Sequence, residues 1–186
     1  MNVKKLTNVG VMTALAVVLM IFIKVPYPGA PYLLYDFGDT PILIISFLYG
    51  PIAALISTII GSFLMAIVTG EGGVYGVLMH ILATGTFVST AGFIYNKFHN
   101  KKGAIIALIS GAFAMTAIMI PANLIVTPIY TMLPREEILK IIIPVILPFN
   151  ITKSLLNAVL TVIIYKRIAN FLRSIGLLKV NQSIKK

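Results

Sequence analysis

Cysteine and tryptophan are absent from this 186-residue chain, and it holds only five acids and two histidines. Without cysteine there is no disulfide, no thiol nucleophile and no thiolate metal site. The two histidines stand apart, and the one inside an apolar stretch, His80, has no second histidine or acid at i+3 or i+4, so no metal site is read. Gly-x-Ser-x-Gly and His-Glu-x-x-His are missing, and no paired carboxylates occur in the apolar stretches, which argues against an enzyme. A P-loop is missing too, so ATP has no such cradle. Charge is scarce altogether. Charged residues make up 11% of the chain and hydrophobic ones 59%, with mean hydropathy +1.00; soluble domains are about a quarter charged.

What is present is long apolar sequence. It reads as an all-α membrane protein, a bundle of six transmembrane helices over about 6–23, 40–49, 52–68, 74–96, 103–127 and 143–168. Six crossings of about 20 residues use roughly 120 residues. That leaves room for short loops only, so residues 1–186 are read as a single membrane domain. The second helix is too short to cross straight and is expected to start below the surface.

The net charge of +10 could suggest nucleic acid, but its placement argues against that. With the N-terminus in the cytoplasm, eleven basic residues fall inside: Lys4, Lys5, Lys97, Lys101, Lys102, Lys166, Arg167, Arg173, Lys179, Lys185 and Lys186. Lys24, Arg135 and Lys140 fall outside, and all five acids (Asp36, Asp39, Glu71, Glu136, Glu137) fall on outer loops. This is the positive-inside bias. It predicts a multi-pass protein with both termini cytoplasmic and basic loops against anionic lipid, and it gives nucleic acid no support.

One cation breaks the pattern. Lys153 lies inside the last apolar stretch, and Asn150, Lys153 and Asn157 share one helix face. An ammonium at membrane depth costs about 3 kcal/mol on insertion scales, so it normally faces a partner, a cavity or a ligand. No acid lies in a predicted helix interior to pair with it, which argues against a purely structural role. Asn123 sits late in the fifth helix, at the same outer end. Above lies the Pro- and Tyr-rich segment Lys24–Asp39, which holds Leu34, Tyr35, Asp36 and Asp39. Prolines and glycines bar a helix there, and an ordered loop with aromatics and acids suits a lid between the first two helices. These segments predict an outward-facing substrate pocket, and the opposite half offers no comparable polar groups. An amide and a lysine together can read a ring edge of alternating C=O and N–H, as in a pyrimidinedione. Gly10 and Ala14 form a small-xxx-small pair that suits close helix approach, within this chain or from a partner.

The chain resembles the substrate-binding S components of energy-coupling-factor (ECF) vitamin transporters, and among them the riboflavin-specific members. The likeness rests on Tyr35-Asp-Phe-Gly-Asp-Thr-Pro41, Tyr49-Gly-Pro-Ile-Ala-Ala54, Thr90-Ala-Gly-Phe-Ile-Tyr95, Pro121-Ala-Asn-Leu124 and Leu147-Pro-Phe-Asn-Ile-Thr-Lys153, in that order. It implies riboflavin or a related flavin as transported substrate rather than cofactor, bound near the outer surface of a prokaryotic cell membrane. It also implies a transmembrane coupling subunit and two ATPase subunits as partners. Asn123 and Lys153 match the family residues that contact the flavin ring, and the first-helix residues Gly10 and Ala14 match a face that meets the coupling subunit. Leu34, Tyr35, Asp36, Asp39, Gly76, His80 and Asn150 complete the expected binding set. One segment departs: Val77 follows Gly76, and His80 stands where riboflavin members carry Asn. That departure bears on which related flavin is preferred. A component for another vitamin is the alternative, and Lys153 argues against a cation such as thiamine.

Overall fold

The computed structural model describes residues 3–28, 30–174 and 176. Lys179, Lys185 and Lys186, counted above among the inner basic residues, lie outside the described residues. Among the described residues, five helical stretches are long and apolar enough to cross a membrane. They are α1 (Val3–Phe22), α3 (Pro51–Thr69), α4 (Gly73–Lys97), α5 (Lys101–Thr131) and the combined stretch Arg135–Ser174.

α2 (Asp39–Tyr49) has 11 residues, about 16 Å of helix. Every residue from Asp39 to Leu48 is buried. A helix apolar all round must be enclosed on all sides, and α2 packs against α1, α3, α4 and α7 (Leu147–Ser174). Its shortness therefore reflects a place inside the bundle, beneath the segment that precedes it. Gly50 lets the chain reverse there at φ 97°, and Pro51 opens α3.

The Lys24–Asp39 segment is more regular than the loop expected from its prolines. It folds as an antiparallel hairpin, β1 (Lys24–Tyr27) and β2 (Ala30–Asp36), with Lys24 opposite Asp36 and Val25 opposite Tyr35. Pro26 is tolerated because β1 is an edge strand, and the register shifts just after it.

The last helix also differs from expectation. Instead of an outer loop followed by one helix from about residue 143, α6 (Arg135–Ile141) leads through a π-helical turn at Ile142–Ile146 into α7. Pro144 and Pro148 lack N–H groups, and the wider turn accommodates them. α5 likewise runs past Pro121 and Pro128 to Thr131, four residues beyond its expected end. Neighbouring helices make such prolines tolerable in membrane segments.

All five acids lie at the hairpin end of the bundle, whereas Lys97, Lys101, Lys102, Lys166 and Arg167 lie at the other. Asp39 is a correction, since it opens α2 and is fully buried rather than lying on an outer loop.

Candidate functional site

Under the hairpin, α4, α5 and α7 part around a cavity of about 730 Å³, within the usual range for small-molecule sites. Each helix contributes a stripe at helical spacing. α5 supplies Met115, Met119, Asn123, Thr127 and Thr131, at successive intervals of four residues. α4 supplies Tyr75, Gly76, Met79, His80 and Ala83; α7 supplies Phe149, Asn150 and Lys153. Leu33 and Leu34 of β2, Tyr130 of α5, and Glu137, Ile138 and Ile141 of α6 add to the wall. The result is thioether and aromatic sides with a small set of convergent polar groups.

Those polar groups are held in place. The Asn123 side-chain amide donates to the Met119 carbonyl (2.8 Å), and its Oδ1 accepts from Thr127 (3.0 Å). Asn150 donates to the Ile146 carbonyl (2.8 Å). Each side-chain NH2 carries two hydrogens and each Oδ1 two lone pairs, so both amides keep capacity for a guest. Tyr75 and Tyr130 stack with centroids 5.8 Å apart.

Lys153 is buried, and its amine donates to Asp36 Oδ2 at 2.9 Å and lies 3.9 Å from Asp39 Oδ2. The reading from sequence left this lysine without an acid. The fold supplies two, because the turn from β2 into α2 reaches α7. That turn is tight. A Cβ on Gly38 would come within 2.3 Å of Met20 Cγ and 2.9 Å of the Ala16 carbonyl, so glycine lets the turn dock on α1. The Gly38 N–H in turn donates to Asp36 Oδ1 (2.9 Å). Burial acts to raise the Asp36 carboxyl, but the Lys153 charge, that of His80 and the hydrogen bonds from Lys153 and Gly38 hold it below the usual carboxylate range. Burial, with Asp39 and Asp36 nearby, pushes the Tyr35 phenol up to about 12.

His80 lines the cavity, with Nδ1 2.8 Å from Ser62 Oγ and Nε2 3.6 Å from Asp39 Oδ1. The spacing argument against a metal looked only along one helix. In space Asp36, Asp39 and His80 offer ligand atoms within 4.8 Å of one another. The Lys153 amine stands against both carboxylates and supplies the positive charge they require.

Six of the residues singled out from sequence (Leu34, Gly76, His80, Asn123, Asn150, Lys153) therefore line one cavity. Tyr35, Asp36 and Asp39 do not; the two aspartates stand behind Lys153 and face its amine. Asn157, on the same face of α7, joins elements instead, accepting from Thr40 on α2 at 2.8 Å. Gly10 and Ala14 lie away from the cavity on an exposed face of α1, with nothing within 4 Å of a Cβ built on Gly10. Sequence reasoning missed the wall residues Met79, Met115, Met119, Thr127, Tyr130 and Phe149. The four-residue spacing on α5 was the available signal for three of them.

A family model described as "ECF transporter, substrate-specific component" matches residues 4–165. The chain is 33% identical to "Riboflavin transporter RibU" of Staphylococcus aureus (strain TCH60), covering 92% of this chain and 94% of that protein. It is 32% identical to "Riboflavin transporter FmnP" of Bacillus subtilis (strain 168), covering 89% and 92%. A solved structure described as "Structure and mechanism of the S component of a bacterial ECF transporter" superposes with TM-score 0.79 at 34% identity, over 91% of this chain and 97% of that one.

Proposed function

The chain belongs to the substrate-specific components of ECF transporters, and from that premise we propose that it captures riboflavin for uptake driven by an ECF module. It is a membrane protein and a transport component rather than an enzyme. The observation that carries the ligand assignment is the trio Asn123, Asn150 and Lys153 converging in one apolar cavity. Two amides and an ammonium offer the donors and acceptors that a pyrimidinedione edge requires. The methionines and aromatic rings suit the flat faces of a fused ring system. Leu33 and Leu34 of the hairpin close over it as a lid.

The charge distribution supports a hairpin end facing outward and both termini in the cytoplasm of a prokaryotic cell. The exposed Gly10 and Ala14 face of α1 is our candidate for contact with the transmembrane coupling subunit, itself joined to two ATPases. His80 on the cavity wall favours a second reading, a related flavin as the preferred guest.

The test is direct. Protein purified in mild detergent should quench riboflavin fluorescence at one site per chain, and a panel of thiamine, folate and flavin mononucleotide should rank below it. Absence of quenching refutes the assignment.

A further inference from the structure

Asp39 is the most deeply buried acid of the chain, yet it does not line the cavity. Its Oδ1 accepts from Thr84 Oγ1 at 2.7 Å. Its Oδ2 is buried and accepts no hydrogen bond. That oxygen lies 3.9 Å from the Lys153 amine, about 0.7 Å beyond hydrogen-bond reach. Buried carboxylate oxygens are rarely left open. The nearby ammonium carries three donors, and one of them is committed to Asp36.

Asp36 and Asp39 differ in what carries them. Asp36 ends β2 of a two-stranded hairpin, an element of marginal stability by itself. Asp39 begins α2, enclosed in the bundle. A lift that includes the last residue of β2, and so breaks the 3.4 Å contact from Asn157 Nδ2 to the Asp36 carbonyl, takes Asp36 away from Lys153. An ammonium stranded at that depth is strongly unfavourable. The other titratable groups near the amine are Tyr35 on β2 and His80 on α4. A phenol pushed up to about 12 stays neutral near pH 7, and an imidazole is never an anion there. Glu137 also lines the cavity but pairs with Lys140, so Asp39 is the other carboxylate that the amine already faces, at 3.9 Å.

We propose that Asp39 is the reserve counter-ion of Lys153. When the hairpin lifts, the amine moves from Asp36 Oδ2 to Asp39 Oδ2, so the buried cation stays paired while the guest enters or leaves. Asp39 is a positioning residue, since it acts through Lys153. The inference rests on the riboflavin-capture reading and adds to it the group that sets the speed of exchange.

Stopped-flow riboflavin quenching on the full chain tests it. Asp39→Asn keeps an acceptor for Thr84 and removes the reserve charge. Association and dissociation rate constants should both fall about tenfold, with their ratio moving much less, because only the barrier to opening rises. Asp36→Asn should instead speed dissociation about tenfold, because the latch is gone and the amine rests on Asp39. A merely structural role for Asp39 would change stability and affinity without this opposite pair of rate effects. Unchanged or faster exchange in Asp39→Asn overturns the proposal, as does unchanged exchange in Asp36→Asn. If Asp39→Asn does not accumulate, Asp36→Asn decides alone. A folded protein with faster exchange supports the reserve role; loss of fold or of binding shows that the amine had no second partner. Wild-type protein that fails to quench riboflavin refutes the underlying reading and the proposal with it, whereas quenching with unaltered exchange in Asp39→Asn refutes the proposal alone.

Discussion

At the hairpin end, α4, α5 and α7 part around about 730 Å³ of space and leave an ammonium, two carboxylates and two amides beside it. At the opposite end the bundle closes on Phe47, Tyr95 and Tyr165. Phe47 stacks on Tyr95 at 4.2 Å, and the two tyrosine hydroxyls lie 3.3 Å apart. Polar groups are buried there as well, but they are small or neutral and pair within the bundle. Ser46 donates to the Val88 carbonyl at 2.6 Å, and the Asn8 side chain donates to the Tyr49 hydroxyl at 2.8 Å. Glycines bring the backbones close: a Cβ on Gly92 would lie 2.2 Å from Ser46 Oγ, and one on Gly111 would lie 2.8 Å from Phe87. What separates the two ends is therefore charge and space rather than polarity. One end spends its polar groups on its own packing. The other leaves amide capacity and a cation next to a void, which is what a guest can use.

The largest effect should come from breaking the charged end. Lys153→Met removes the cation from between two buried carboxylates. We predict a loss of more than about tenfold in riboflavin affinity, ~1.4 kcal/mol, by fluorescence titration. Thermal stability should fall as well, by roughly 3 kcal/mol, because Asp36 is left buried without its partner. A variant as tight as wild type would take Lys153 out of the site.

The closed end should answer to volume instead. Gly92→Ala places a methyl against Ser46 and Pro51, so melting should reveal a loss of about 2 kcal/mol. Affinity of the folded fraction should stay near wild type. A matching drop in affinity would mean the two ends are coupled.

A smaller change sharpens the contrast at the cavity. Asn123→Leu keeps the bulk and removes the amide; affinity should fall by about 1 kcal/mol, roughly fivefold. Stability should change little, since the amide's partners are the Met119 carbonyl and the Thr127 hydroxyl on its own helix. At the other end, Tyr165→Phe deletes one hydroxyl contact and should cost under ~1 kcal/mol in melting, with binding unaltered.

The smallest effect is on pH dependence. The folded-state Asp36 carboxyl titrates below its ordinary value of about 4. Its stabilisation is thus fully present above that ordinary value and is lost as pH falls through the lower folded-state value. Melting temperature should show no Asp36 contribution to its slope between about pH 5 and 8, and a decline below about pH 4. Asp36→Asn should flatten that acid limb.

Much of the architecture could be read from local pattern. Apolar runs of crossing length marked α1, α3, α4 and α5 to within a few residues, because a helix satisfies its own backbone in lipid. The hairpin could not be read that way. Its prolines excluded a helix, but pairing Lys24 with Asp36 depends on the register of two strands, which a single strand's sequence does not carry. The π-helical turn was hidden for a similar reason, since two prolines announce a disturbance without saying how the helix absorbs it. Asn123, Asn150 and Lys153 were found as polar intruders in apolar sequence, whereas the methionines of the wall looked like ordinary packing.

By itself the chain's sequence determined that this protein lives in a bilayer, which end gathers the acids, and that one lysine must be excused from lipid. Tertiary structure alone decided how it is excused. Asp36 and Lys153 are 117 residues apart in the chain and 2.9 Å apart in space. The physical reason is one of range. Hydropathy and helix geometry act between neighbours along the chain, so they are legible there. A buried charge finds its partner only after the hairpin and the helices have packed, and which carboxylate it meets depends on where a glycine turn lands against α1.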